Sequence, residues 1–380
     1  MYINFWYPMA TSEELAEKPL KIKALGQDFV VFRGEDGVAR CVANTCPHRG
    51  GSLANGKIAG NCIQCPYHGW EFDAEGHCNR IPSLGPNPKI PSRTRTDAYP
   101  VDERHGIVFA FLGDLPEAER PPIIDVKEWE QEGWVSTLQI YTINCNYERS
   151  IENGVDPAHN EFVHDTHGFS GEDQEYHIGD MRIEQSSDWG QGFWHTFQAP
   201  ALTEDAEFKD VRKGAGDLEV GTGYHGPSHV WTYIHLSDTD WMHQYLIERP
   251  IDEHSSAVYL LCMRNCYIDE KFDANVIERN GYVADQDVIV VENLNPVITP
   301  DTNTKEFMTP SDKCILLYRE SLKEWQGNGW KIDTDAVNAT RGKVAYAIPS
   351  PGRREQKGWV IDSIPLKVAS ASAPELKAAG

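Results

Sequence analysis

The sequence predicts an α+β chain of two domains, an all-β module over residues 1–118 and a larger domain over 119–380 with helices on an antiparallel sheet. Three observations carry this. Short β-rich runs fill the first 115 residues, and longer strand-like runs followed by helical ones fill the second part. Between them LPEAERPPIID, at 115–125, is polar and Pro-rich, as a boundary would be.

Taken in order, FVVFRGEDGVARCVA (29–43) is two β-rich runs around a Gly-bounded acidic turn, a hairpin signal. Pro and Gly crowd residues 82–91, and HGIVFAFLGD (105–114) is a further strand ending in a turn. Residues 146–164 look helical but interrupted, with Gly154 and Pro157 as the breakers. HVWTYIHL (229–236), WMHQYLIERPI (241–251) and SAVYLLCMRNCYI (256–268) are strand-like. Helical patterns return at 270–295, stopped by Pro296, and at 312–326, with Ser311 as the expected N-cap.

Composition narrows the function classes. The 380 residues hold 35 Lys+Arg against 58 Asp+Glu, a net charge of −23 that repels nucleic acid. The first 115 residues carry 12 basic and 13 acidic side chains, so nearly all the excess lies in the second part. That asymmetry predicts different surfaces and different partners for the two. No apolar run approaches the ~18 residues of a membrane span, and MYINFWYPMATSEELAEK lacks the pattern of a secretion signal. A cytoplasmic protein with no membrane or nucleic-acid partner is expected. Nine cysteines, an odd number, then point to metal or catalysis rather than to a disulfide framework.

In CPHRGGSLANGKIAGNCIQCPYHGW (46–70), Cys46 and His48 are spaced C-x-H, and Cys65 and His68 C-x2-H. Two such loops face to face suit two irons, one bound by two thiolates and one by two imidazoles, which is a Rieske [2Fe-2S] centre. A structural zinc site is the alternative. Its best support is the C-x2-C of Cys62 and Cys65, although zinc spacing is usually C-x2-4-C with H-x3-5-H; Cys62 is otherwise expected to be a buried strand residue. In CNYERSIENGVDPAHNEFVHDTHG (145–168), Asp156, His159 and His164 are spaced D-x2-H-x4-H. Two His and a carboxylate on one face of Fe(II) leave three cis positions open. Positions i and i+5 lie about 140° apart on a regular helix, so His159 and His164 face one ion only if the helix is distorted or broken. His167 competes, being i+3 from His164. ADQDVIVVENLNP (284–296) offers three acids for the third ligand: Asp285, Asp287 and Glu292.

Cys46, His48, Arg49 and Gly50, with Cys65, Pro66, His68, Gly69 and Trp70, match the C-x-H-R-G and C-P-x-H-G-W pattern of Rieske non-haem iron oxygenases, and the D-x2-H-x4-H motif extends the match. The chain resembles the α subunits of this family, and ENGVDPAH looks most like the α-subunit-only, homotrimeric members. The resemblance implies a Rieske domain followed by a helix-grip-like catalytic domain. It implies a cluster on Cys46, His48, Cys65 and His68, and mononuclear Fe(II) on His159, His164 and Asp287. Asp156 would be the acid that joins a cluster His of a neighbouring subunit to an iron His, because in one chain the two centres would be too far apart. A head-to-tail trimer follows.

The resemblance also implies O2 as co-substrate, with NAD(P)H used indirectly through a reductase and in some members a ferredoxin. The substrate would be an apolar aromatic, heterocyclic or alicyclic small molecule, hydroxylated or oxidatively demethylated. Asn153, Trp231 and Tyr233 are the expected pocket residues; core packing is the other reading of the period-2 aromatics. The alternatives are a ring cis-dihydroxylating α subunit that needs a β subunit, and a non-catalytic Rieske electron carrier. Gly221-Thr222-Gly223-Tyr224-His225-Gly226 fits the dinucleotide pattern G-x-G-x-x-G, but Pro227 and a strand follow it instead of a helix.

Overall fold

A computed structural model describes residues 1–368 apart from 17, 87, 166–168, 200–210 and 212–215, with the backbone alone at 197–199. The chain divides into two compact units, Met1–Ile123 with Lys323–Gly380, and Ile124–Leu322. The expected division at 118/119 therefore differs at the C-terminal end, where residues from 323 onward join the first unit. Local pattern did not show this because the ties are long-range. Arg353 grips the buried Asp97 through Nε and Nη2, each bond 2.7 Å. Tyr99 donates to the carbonyl of Ile348 at 2.7 Å, and the amide of Ile3 donates to Trp330.

The first unit is all-β over its N-terminal stretch, in short strands: β1 (Phe5–Thr11), β2 (Leu20–Ala24), β3 (Gln27–Arg33), β4 (Ala39–Ala43), β5 (Lys57–Ala59), β6 (Cys62–Gln64), β7 (Glu71–Phe72), β8 (Cys78–Arg80), β9 (Ala98–Tyr99), β10 (Val101–Arg104) and β11 (Ile107–Leu112). They form sheets ordered β1-β11-β10, β2-β3-β4-β9 and β5-β6-β7-β8. The expected hairpin is β3–β4, paired antiparallel from Phe29↔Ala43 to Arg33↔Ala39. Alternation sets the inward face of β6: Ile63 is buried, while Cys62 and Gln64 are half-buried. Cys65, next along, joins Ile63 in a core with Val30, Phe32, Val42, Cys46 and Phe72.

The second unit is built on one seven-stranded antiparallel sheet: β12 (Val135–Ile143), β13 (Arg182–Ser187), β14 (Gly190–Ala199), β15 (Gly216–His225), β16 (His229–His235), β17 (Trp241–Asp252) and β18 (Ser255–Arg264), in the order β12-β18-β17-β16-β15-β14-β13. Its helices are α1 (Tyr147–Gly154), α2 (Asn160–Val163), α3 (Asp273–Val291) and α4 (Lys313–Gly327), the last running on past Leu322. Asn146 caps α1 by accepting from the amide of Glu148 at 3.0 Å. At its other end Gly154 allows close approach to the sheet, since a Cβ there would lie 3.0 Å from Val230. The turn before α4 is capped by Thr309 with Asp312 in a capping box, not by Ser311 as expected, because Thr309 is the residue with extended backbone three positions before an acid.

The G-x-G of Gly221 and Gly223 has a packing role. A Cβ on Gly221 would lie 2.7 Å from the Trp194 ring, and one on Gly223 2.5 Å from the Trp231 ring. The glycines make room for aromatic side chains on the sheet.

Candidate metal centres and substrate cavity

The two cluster-type loops share one build. The first joins β4 to β5: Gly50 N–H donates to Cys46 O at 2.9 Å and Cys46 N–H to Gly51 O at 2.9 Å. The second joins β6 to β7: Gly69 N–H donates to Cys65 O at 3.0 Å and Cys65 N–H to Trp70 O at 2.7 Å. Gly50 and Gly69 both sit at φ +70°, where a side chain would be strained. Each loop therefore turns back on its own cysteine after four residues and lifts its histidine to the rim. The loops face one another, for a Cβ on Gly51 would lie 3.1 Å from Cys65 Sγ. Cys46 and Cys65 are buried, whereas His48 and His68 are exposed with ring centroids 4.4 Å apart. Trp70 stacks on His48 at 4.5 Å.

Burial, with the Cys65 thiol alongside, pushes the Cys46 thiol up to about 12, so a bound cation is what would make it a thiolate. Two thiols in an apolar floor beneath two imidazoles at the surface fit a [2Fe-2S] group with unlike irons. Cys62 lies on the other face of β6 from Cys65, which removes the main support for a zinc set.

In the second unit the chain breaks between α1 and α2, as the i, i+5 spacing requires. His159 precedes α2 and His164 follows it at ψ 87°, out of the helical conformation. The two imidazoles thus converge around a four-residue helix. Their Nε2 atoms are 3.1 Å apart, and Asp287 Oδ1, from α3, lies 3.3 Å from His164 Nε2 and 3.7 Å from His159 Nε2. A triangle with these sides has a circumscribed radius of about 2.0 Å. One ion would reach all three donors at the ~2.0–2.2 Å of bonds from a first-row divalent metal to imidazole nitrogen or carboxylate oxygen. Two imidazoles and one carboxylate on one side of such an ion suit Fe(II) with open positions.

The neighbours prepare the donors. His164 Nδ1 lies 3.1 Å from Gln286 Oε1, and Gln286 donates in turn to Asp165 at 2.6 Å. An acceptor at Nδ1 puts the proton there and leaves Nε2 free to bind. Asn153 donates to Asp287 Oδ1 at 3.0 Å. Burial raises the Asp287 carboxyl, but the bond to His164, the charges of both histidines and Asn153 outweigh it and hold it below its ordinary value. For His159 burial lowers the pKa, and the neighbouring Asp156 and Asp287 outweigh it, so the net shift is upward. Asp156 Oδ2 is 3.8 Å from His159 Nδ1, while its Oδ1 accepts from Ala158 N–H at 2.7 Å. Of the rival ligands, Asp285 is exposed and Glu292 accepts from the amide of Asn144. His167 lies outside the described residues.

The three donors open into a cavity of about 200 Å³ between the sheet and the helices. Asn153 is among the residues that line it. Trp231 and Tyr233 are not. On β16 it is Val230, Thr232 and Ile234 that face the cavity, and the aromatics occupy the other side of the sheet, where Tyr233 bonds Tyr245 at 3.1 Å and stacks on His243. The same alternation along β17 turns Met242, Gln244 and Leu246 inward. Glu248, next in that row, is fully buried and accepts from Ser150 at 2.5 Å, and burial pushes its carboxyl up to about 8. Sequence reasoning missed Gln286, Gln244 and Glu248. Polar side chains alternating with Met242 and Leu246 along the inward row of β17 were the signal available for the last two.

Residues 5–99 match the family model of the Rieske [2Fe-2S] domain, and 143–327 that of the vanillate O-demethylase oxygenase C-terminal domain. The chain is 35% identical over 200 residues to cholesterol 7-desaturase of Hemicentrotus pulcherrimus, covering 51% of this chain and 42% of that protein. To methylxanthine N1-demethylase NdmA of Pseudomonas putida it is 26% identical over 333 residues, covering 84% and 88%. The solved structure of Pseudomonas putida CBB5 NdmA with caffeine shares the fold, with a TM-score of 0.72 and 24% identity over 86% of this chain and 91% of that one. The chain spans about two fifths of the length of the first curated relatives it matches. With a Rieske domain followed by this C-terminal domain, in the order its two metal motifs require, the chain belongs to the Rieske non-haem iron oxygenases, whose cofactors are a Rieske [2Fe-2S] cluster and a mononuclear iron.

Proposed function

We propose that the protein is an oxygenase that hydroxylates or oxidatively demethylates a small apolar aromatic, heterocyclic or alicyclic substrate. Named activities among its relatives include demethylation of methylxanthine, dicamba and 5,5'-dehydrodivanillate. The observation that carries the reading is the His159–His164–Asp287 triangle at the wall of an apolar cavity, in a chain that also holds the paired Cys/His loops. Cys46, His48, Cys65 and His68 would hold the cluster, and His159, His164 and Asp287 the iron. When bound, these groups supply one-electron transfer and oxygen activation.

The chain's own residues do the rest. Gln286 fixes the His164 tautomer, Asn153 orients Asp287, and the aliphatic walls exclude water and hold the substrate beside the open positions. Asp156, beside His159 Nδ1, is the link to a cluster histidine of a neighbouring subunit in a cytoplasmic homotrimer served by a reductase, with or without a ferredoxin. Among the described residues no helix is long and apolar enough to cross a membrane.

Asp156→Asn tests this link. The amide keeps the shape and loses the charge, so both metal centres should stay loaded while product formation falls at least 100-fold, beyond the 10- to 100-fold usual for an outer-shell partner. Single-turnover reoxidation of the reduced cluster, with substrate and O2 present, is the readout. Reoxidation at the wild-type rate would remove Asp156 from the route.

A further inference from the structure

A line of polar side chains crosses the sheet under the cavity and has no use in holding a metal. Thr222, Thr232 and Gln244 stand directly opposite one another on β15, β16 and β17, and all three line the cavity. The rows on either side are apolar, with Val220, Ile234 and Met242 on one and Val230, Leu246 and Leu260 on the other. Counting protons shows what the line offers. Thr222 Oγ1 lies 2.8 Å from the carbonyl of Gly154 and 3.0 Å from that of Trp231, neither of which can donate. Its one proton goes to a carbonyl, so the 3.2 Å bond to Thr232 Oγ1 takes the Thr232 proton and leaves Thr232 with lone pairs alone. Gln244 is fixed from the other side. Asn280 directs its amide nitrogen at the Cys262 thiol, which turns its Oδ1 to accept from Gln244 Nε2 at 3.1 Å. Gln244 Oε1 then has no hydrogen-bond partner among the described residues. Unlike the sealed amide nitrogen of Asn280, it keeps accessible surface on a half-buried side chain of the cavity wall.

We propose that Gln244 and Thr232 form a subsite for a hydroxyl group of the substrate. The line presents two acceptor oxygens side by side, with the second N–H of Gln244 Nε2 next to them. A hydroxyl matches this set, since it donates to one of the oxygens and accepts from the N–H. A carbonyl or ether oxygen can use only the N–H, and a carboxylate would face two acceptors. An acceptor that loses water to an apolar ligand and gains no donor is costly, so the polar line favours a ligand that supplies one. This deepens the oxygenase reading and rests on it for where the substrate is oxidised. Gln244 meets α3 at Asn280, seven residues from Asp287 and so about 10 Å away along the helix axis. The hydroxyl is therefore a handle, and the oxidised carbon belongs to another part of the molecule.

The test is anaerobic calorimetric titration of the holoenzyme with two matched pairs, 4-methoxyphenol against 4-methoxytoluene and 4-methoxycyclohexanol against 1-methoxy-4-methylcyclohexane. Within each pair a hydroxyl replaces a methyl group of similar size. Wild type should prefer the hydroxyl member of at least one pair by about three- to tenfold, the effect of one buried hydrogen bond. Preference in the first pair marks a phenol, and in the second an alicyclic alcohol. Thr232→Val keeps the shape, removes the lone pairs and should reduce the preference by weakening the hydroxyl member alone. Gln244→Leu should abolish it while binding the methyl member at least as tightly as wild type does. If that variant does not fold, Thr232→Val decides. No preference in either pair, a preference unchanged in the variants, or binding of none of the four compounds overturns the proposal. So does 4-methoxybenzaldehyde bound as tightly as the phenol, since an acceptor alone would then suffice. Tighter binding of 4-methoxybenzoate than of the phenol also overturns it, moving the anchor to Arg279 in the cavity wall. Binding as expected, with no oxygenated product when electrons and O2 are supplied, would overturn the oxygenase reading instead and leave the subsite standing.

Discussion

Gln286 shows what one side chain contributes and why the sequence did not disclose it. Its position next to Asp287 was visible, but the bond to His164 joins residues 122 apart and depends on how α3 lies against α2. Gln286→Leu should leave all three metal donors in place and release the His164 tautomer. The expected result is a 10- to 100-fold weaker affinity for mononuclear iron with the cluster unchanged, read by iron titration of the metal-depleted protein. An unchanged affinity would mean that the proton on His164 is set elsewhere.

Glu248 carries a different consequence, on stability. Its folded pKa of about 8 lies above the ~4.3 of an unfolded glutamate, so the native state holds an extra proton between those values. The stability tied to that proton is complete below the unfolded pKa and is lost as pH rises through about 8. Relative to Glu248→Gln, which cannot ionise, wild type should lose roughly 4 kcal/mol between pH 5 and pH 9. Parallel urea titrations of the two proteins give the difference, and parallel pH profiles would contradict it.

At the scale of elements, the strands around the cavity were legible and their inward face was not. A period of two sorts Val230, Thr232 and Ile234 from Trp231, Tyr233 and His235, but it does not say which set meets the helices. The larger aromatic set invited the wrong choice. The correction is testable in pairs. Ile234→Trp should fill the cavity and weaken ligand binding more than tenfold in calorimetric titration, with the fold retained. Trp231→Phe, on the other face, should lower the melting temperature and leave ligand affinity within about twofold. The reverse pattern would restore the aromatics to the pocket.

The break between α1 and α2 was readable for a firmer reason. Two ligands five apart cannot share a face of a regular helix, so metal-binding geometry demanded an irregularity. Gly154 and Pro157 marked where it could occur. What holds α1 in place was not readable. Arg319 meets Glu152 at 2.6 and 2.9 Å and Glu306 at 2.6 Å, and Arg149 meets Glu306 at 2.8 Å, a buried network assembled from three distant stretches of chain.

At the scale of the whole molecule, the cluster-type loops were the most legible part, because all four proposed donors fall within 23 residues and each loop closes on itself through its own glycine. The proposed iron site was half legible. Its histidines are five apart, whereas Asp287 comes from a helix more than a hundred residues later and was chosen over Asp285 and Glu292 only by family resemblance. The return of residues 323–380 to the first unit left no local signature, since bonds such as Arg353–Asp97 span 256 positions.

The central claim is that one chain carries two different iron centres on the residues named above. Metal and acid-labile sulfide analysis of the holoprotein, beside His164→Ala, tests it most directly. The account predicts about three irons and two sulfides per wild-type chain, and about two irons with two sulfides in the variant, which keeps the anisotropic EPR signal of a reduced Rieske cluster. Zinc without sulfide in the wild type, or loss of sulfide together with iron in His164→Ala, would contradict it.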